Sequence, residues 1–222
     1  MPIRLTERQK KLLITILAGI LGNLLAYLSS RLTPLHPQVT FDFSHLATFM
    51  IAIALGPGYG FLAGAISSLQ PYFHYAVWGI YGPFFGLAII FGKAMTGLFC
   101  GLLRGKMSTY LAVSLAYIPE SIFTLGFSLL MRSFLPAGTM SWEIINGVLM
   151  EGWVEVIIFA FVIDNIVRRK VIETAILMLE IFIIMFLVHK EFIHTLLLLL
   201  LITLVTLILF EIIEPLRGKK TD

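Results

Sequence analysis

Residues 41–105 read FDFSHLATFMIAIALGPGYGFLAGAISSLQPYFHYAVWGIYGPFFGLAIIFGKAMTGLFCGLLRG. Two apolar runs meet at the sequence Gly56-Pro57-Gly58-Tyr59-Gly60, which reads as a hinge, because glycine reaches backbone angles closed to other residues and proline fixes φ. Small residues then recur every fourth position, Gly56, Gly60, Gly64 and Ser68, and again Gly97, Gly101 and Gly105, which places each set on one helix face. In a bilayer such stripes let helices approach closely, where van der Waals fit drives association. Between the two stripes lies an aromatic, uncharged loop with Tyr72, Phe73, His74, Tyr75, Trp78 and Tyr81. The segment reads as a tightly packed membrane bundle with a binding mouth on one side.

Composition outside the segment agrees. Hydrophobic residues make up 59% of the chain, and a mean hydropathy of +0.95 leaves no room for a soluble domain. Apolar runs predict eight spans: Leu12–Ser29, Ser44–Leu55, Tyr59–Pro71, Pro83–Leu103, Tyr110–Met131, Trp142–Val167, Val171–Val188 and Phe192–Ile213. These runs are continuous, whereas a β-barrel needs alternating segments of about ten residues. The second and third are short, and are expected either to extend into their flanks or to bend as a pair around the glycine-proline hinge. The first run is too long for a signal-peptide core. The single cysteine, Cys100, lies inside an apolar run and reads as a small packing residue.

Charge sets the orientation. Of the 16 lysines and arginines, 12 fall in four clusters: Arg4, Arg8, Lys10 and Lys11; Arg104 and Lys106; Arg168, Arg169 and Lys170; Arg217, Lys219 and Lys220. Eight spans put every cluster on one side, which the positive-inside rule assigns to the cytoplasm of a multi-pass plasma-membrane protein with both termini inside. Arg31, Arg132 and Lys190 fall at the outer ends. No clustered basic domain supports a nucleic-acid partner. Seventeen of the 18 glycines precede Arg168, which divides the chain into a glycine-rich six-helix bundle over 1–170 and a lipid-facing two-helix hairpin with a basic tail over 171–222. The fold class is therefore all-α membrane protein.

No phosphate-binding loop of the GxxxxGK[ST] type occurs, so uphill movement of a solute would draw on an ion gradient or on another subunit; no matching inverted repeats stand out to favour the gradient, and a nucleotide-hydrolysing partner is the better expectation.

The residues Asp42-Phe43-Ser44-His45-Leu46, Leu55 to Ser68, Tyr81-Gly82-Pro83 and Gly97 to Arg104 resemble the substrate-binding S components of energy-coupling factor transporters. The resemblance covers roughly residues 10–170. It implies a six-helix bundle that binds a vitamin or metal ion near the outer surface and works with a transmembrane coupling subunit and two ATPase subunits. It also implies a docking stripe of small residues on the first helix, for which Ala18, Gly22 and Ala26 are the match. The C-terminal hairpin departs from the six-helix pattern.

Candidate ligand contacts follow from charge and ring chemistry. A carboxylate at the bilayer centre costs at least about 2.5 to 3.5 kcal/mol, so it should face protein or water. Glu151 and Glu155 share one helix face, and Glu151 lies nine residues past Trp142, about 13 Å below the outer end. With Asn146, His45, His74, Tyr75, Trp78 and Tyr81 they form the expected binding set, against the alternative of an ordinary interfacial aromatic belt. Lys93 and Glu120, each near mid-span, are expected to form a structural ion pair, with Glu155 as the other possible partner of Lys93. Asp164 and Arg168 read as a surface pair, and Glu180 has no evident partner. Carboxylates below a mouth poor in cations suit a cationic or neutral ring compound such as thiamine or its pyrimidine precursor, with riboflavin behind. No cofactor is expected. A metal-binding S component, or an intramembrane metal enzyme using His45, His74, Glu151 and Glu155, is the alternative. Neither an HExxH nor a GxSxG motif is present, and His189 and His194 point to different helix faces.

Overall fold

The computed structural model describes residues 5–32, 34–36, 39–79, 81–135 and 140–168. The expected hairpin, with Glu180, Lys190, His189, His194 and the basic tail, lies outside the described residues. Within them the protein is α-helical, save for an antiparallel pairing of β1 (Pro34–His36) with β2 (Val39–Thr40). Helix α1 (Glu7–Leu32) leads to that pairing. Then follow α2 (Ser44–Leu55), α3 (Pro57–Ser67), the single turn α4 (Leu69–Pro71) and a π-helical turn over Tyr72–Val77. Helices α5 (Gly82–Leu103), α6 (Thr109–Ala116), α7 (Ile118–Phe134) and α8 (Trp142–Val167) complete the described chain. Four stretches are long and apolar enough to cross a membrane: Glu7–Arg31, Gly82–Leu103, Thr109–Phe134 and Trp142–Val167. Their outward surfaces carry large apolar side chains such as Ile20, Phe91, Ile122 and Phe161, as a lipid-facing surface requires.

The short second and third runs resolve into a bent pair. Gly56, between them, has φ of 100° and ψ of −175°, a conformation open in practice only to glycine, and Pro57 opens α3 in the first turn, where its missing N–H costs nothing. Helix α2, apolar apart from Ser44, His45 and Thr48 near its start, is buried from Ser44 to Ala54 and forms the centre of the bundle.

The glycine stripes explain how α3 meets α5. A Cβ on Gly60 would strike the backbone of Gly97, and one on Gly64 the backbone of Lys93 and Ala94; Gly101 lies equally close to Gly56 and Pro57. These helices therefore touch backbone to backbone and run antiparallel. Gly105 belongs to a different device: at φ of 75° with open space around it, it turns the chain after α5.

The run Tyr110–Met131 lies within the spanning stretch Thr109–Phe134, which divides at Tyr117 into α6 and α7, because Pro119 supplies no N–H to a continuing α6 and instead occupies the first turn of α7. One expectation is corrected. The stripe Ala18, Gly22 and Ala26 is not available for docking, since Ala18 and Ala26 are buried and a Cβ on Gly22 would come within 2.6 Å of Ser67 and 3.4 Å of Ala47. It is the seam by which α1 packs on α2 and α3. The exposed face of α1 carries Leu13, Leu17, Ile20 and Leu24 instead.

Candidate binding site

Close approach of α3 and α5 fixes Lys93. Its backbone lies against Gly64, and its side chain, 2% exposed, reaches the start of α2, where it donates to Asp42 Oδ2 and Ser44 Oγ. Asp42 in turn accepts the Ser44 N–H at 2.9 Å through Oδ1, which anchors the first turn of α2. Burial pushes the Asp42 carboxyl up, but the Lys93 ammonium and His45 more than offset this and hold it below the usual carboxylate range.

From Asp42 the network continues across the bundle. The Asp42 N–H donates to Glu155 Oε2 at 2.9 Å, and Glu155 Oε1 lies 2.8 Å from His45 Nδ1. His45 Nε2 faces Glu120 Oε2 at 3.4 Å, and that oxygen also accepts from Thr96 Oγ1. Polar contacts thus form a ring that leaves α5 at Lys93, passes through the α2 entry, α8, α2 and α7, and returns to α5 at Thr96. An imidazolium at His45 satisfies both carboxylates, whereas a neutral ring can donate to only one. Glu120 sits in the first turn of α7, where backbone N–H groups favour a carboxylate.

The expected pair between Lys93 and Glu120 is not formed. Asp42 and Ser44, at the mouth of the neighbouring helix α2, take up the Lys93 ammonium, and Glu120 is engaged by His45 and Thr96. Glu155 is likewise no direct partner of Lys93; it meets the Asp42 backbone.

Beside this ring lies a cavity of about 160 Å³. Asp42, His45, Lys93, Glu120, Glu151 and Glu155 supply its polar wall, and Tyr75, Tyr81, Tyr117, Phe127, Met131 and Met140 its apolar one. Tyr75 and Tyr81 stack with centroids 6.3 Å apart. Tyr117 crosses α8 at Gly152, where any Cβ would collide with the phenol, and packs edge-on to Trp153 with centroids at 5.2 Å. The cavity occupies the half of the bundle nearer the starts of α2, α5 and α8, remote from Arg104 and Arg168 at the ends of α5 and α8.

Glu151 differs from the other carboxylates. Its Oε1 is buried and has no hydrogen-bond partner among the described residues, although the residue lines the cavity. A buried acceptor without a donor is costly, which marks this oxygen as the site's free valence.

No family model, curated protein or solved structure matches the chain.

Of the eight residues expected to contact ligand, Glu151, Glu155, His45, Tyr75 and Tyr81 line one cavity. Asn146 is exposed on α8 outside it. His74 packs edge-on to Tyr75 without lining the cavity, and Trp78, 77% exposed, stacks on Phe73. These three lie outside the cavity; on the π-helical turn it is Tyr75 that lines it. The metal set fails with His74: among the described residues no three His, Cys, Asp or Glu side chains converge on a metal position. Asp164 and Arg168 do pair, at 2.7 Å.

Asp42 as a wall residue and Tyr117, Thr124 and Ser128 as its companions were not expected. A signal existed for part of this: Glu120, Thr124 and Ser128 recur every fourth residue on α7, a polar stripe in an apolar helix.

Proposed function

We propose that this chain is the membrane-embedded substrate-capture subunit of an energy-coupling-factor-type importer. In this reading a six-helix bundle holds a small ring compound, vitamin-like in size and shape, in the cavity among α2, α5, α7 and α8. The positive-inside pattern puts the cavity in the outer half, with both termini cytoplasmic. Movement of the cargo depends on a transmembrane coupling subunit and two ATPase subunits, because the chain carries no phosphate-binding loop. The coupling subunit must meet a surface other than the Ala18, Gly22 and Ala26 seam, which the bundle itself occupies.

One observation carries the reading: a cavity with aromatic walls, a fully paired polar ring, and a single buried oxygen, Glu151 Oε1, that lacks a donor. Ligand sites combine an apolar enclosure with a few convergent polar groups in this way. The test is mass spectrometry of small molecules that co-purify with the full chain in lipid nanodiscs, with Glu151→Gln as the matched control. A stoichiometric ring compound lost in the variant supports capture. A stable, monodisperse protein that carries no small molecule, and that none from a vitamin panel stabilises, overturns it.

A further inference from the structure

We propose that the cavity is built for a compact organic cation, an amine or amidinium carried on a flat ring, with the Glu151 carboxylate as its counter-charge. This rests on the capture reading and adds the charge class of the cargo.

The first argument is a charge count. Asp42, Glu120, Glu151 and Glu155 face Lys93 and His45 across the cavity. Even with His45 protonated, two cations answer only two of the four carboxyl groups; the others gain a counter-charge only from a further cation, because buried charge persists only where it is paired.

The second is that the ring residues are paired with one another, whereas Glu151 Oε1 has no hydrogen-bond partner among the described residues. Lys93 is held by Asp42 and Ser44, so it is not free to receive an anion. His45 is clamped between Glu120 and Glu155. Glu151 Oε1 is buried, unpartnered and part of the cavity wall. A bound N–H cation supplies both a donor and a charge at that oxygen, and a charge-assisted bond of this kind is among the strongest available.

The third concerns shape. A cavity of roughly 150 Å³ is large enough for a benzene ring, and the 160 Å³ here leaves little more than room for one ring and its substituent. Tyr75, Tyr81 and Tyr117 line the cavity, and aromatic rings attract a cation. A bare metal ion has no matching set of converging ligands among the described residues.

The experiment measures binding of three near-isosteric probes, benzamidine, benzamide and benzoate, to the full chain in nanodiscs at neutral pH by calorimetry. Benzamidine is expected to bind at least about tenfold more tightly than benzamide, with benzoate weakest. Glu151→Gln should abolish the preference of benzamidine over benzamide, and Glu151→Asp should retain it. Equal or tighter binding of benzamide or benzoate by the unaltered protein overturns the charge class and leaves capture standing. Binding of none of the three also overturns the proposal; capture itself is judged separately by the co-purified cargo. The ranking in the unaltered protein needs no variant, so a poorly folding substitution cannot rescue the idea.

Discussion

The backbone N–H of Asp42 donates to the Glu155 carboxylate at 2.9 Å, although the two residues stand 113 positions apart. That bond ties the entry of α2 to the middle of α8, and the same carboxylate holds His45 at 2.8 Å. Glu155 is thus the point through which α2 and α8 are fastened beside the cavity. Replacing it with alanine strands the part-buried Asp42 N–H and takes one of two carboxylates from the His45 imidazole, and loss of one partner from a buried ionic pair costs about 3 to 5 kcal/mol. Glu155→Gln keeps an acceptor for the N–H and should cost less, about 1.5 to 3 kcal/mol. Thermal unfolding in nanodiscs orders them: unaltered above Gln above Ala. Equal melting of all three would mean the fastening is not structural.

Close helix approach predicts a contrast between two glycines. A Cβ on Gly97 would strike the backbone of Gly60, which cannot yield without parting α3 from α5. Since Lys93 is placed by that same contact, Gly97→Ala should lower stability by about 1 to 3 kcal/mol and weaken ligand binding together. Gly126, on α7, has open space around it, so Gly126→Ala should be neutral or stabilising by roughly 0.5 kcal/mol. Paired melting curves and ligand titrations of the two variants check this.

The acid side of the stability profile should report on Asp42. Its carboxyl lies below its ordinary value because the Lys93 ammonium and His45 outweigh the effect of burial. A depressed folded-state value contributes stability that is complete above the unfolded-state value of about 3.9 and is lost as pH falls through the folded one. Asp42→Asn should therefore melt lower than the unaltered protein at pH 7, where Lys93 loses its partner, and the gap should narrow steadily below pH 4. A gap that stays constant across this range would exclude ionised Asp42 as the source.

The helical segments were legible because hydrophobic run length and the glycine-proline hinge act locally: Gly56 and Pro57 by themselves end α2 and start α3. Pairing across the bundle was not. Lys93 and Glu120 sit at similar depth in their own helices, so sequence offered them as partners, but helix rotation decides the matter and turns Lys93 toward Asp42, a residue in no apolar run at all. Likewise Tyr75 lines the cavity while His74 and Trp78 lie outside it. Glu151 and Glu155 were readable because a four-residue spacing fixes a shared face whatever the neighbours do.

Rotation of α1 yields the last prediction. Ala18, Gly22 and Ala26 carry the spacing of a docking stripe, yet they face α2 and α3, and it is Leu13, Leu17, Ile20 and Leu24 that face outward. A small-residue stripe alone does not say whether the close neighbour belongs to the same chain. If the seam is internal, Gly22→Leu must push Ser67 and Ala47 away and should destabilise the isolated chain by about 1 to 3 kcal/mol, with no partner present. Ile20→Ala, at a site 55% exposed, should leave the isolated chain within about 0.5 kcal/mol of the unaltered protein. Melting of the purified chain alone is the decisive reading, because a stripe that served only a partner would let Gly22→Leu fold unharmed and fail only in the assembled complex.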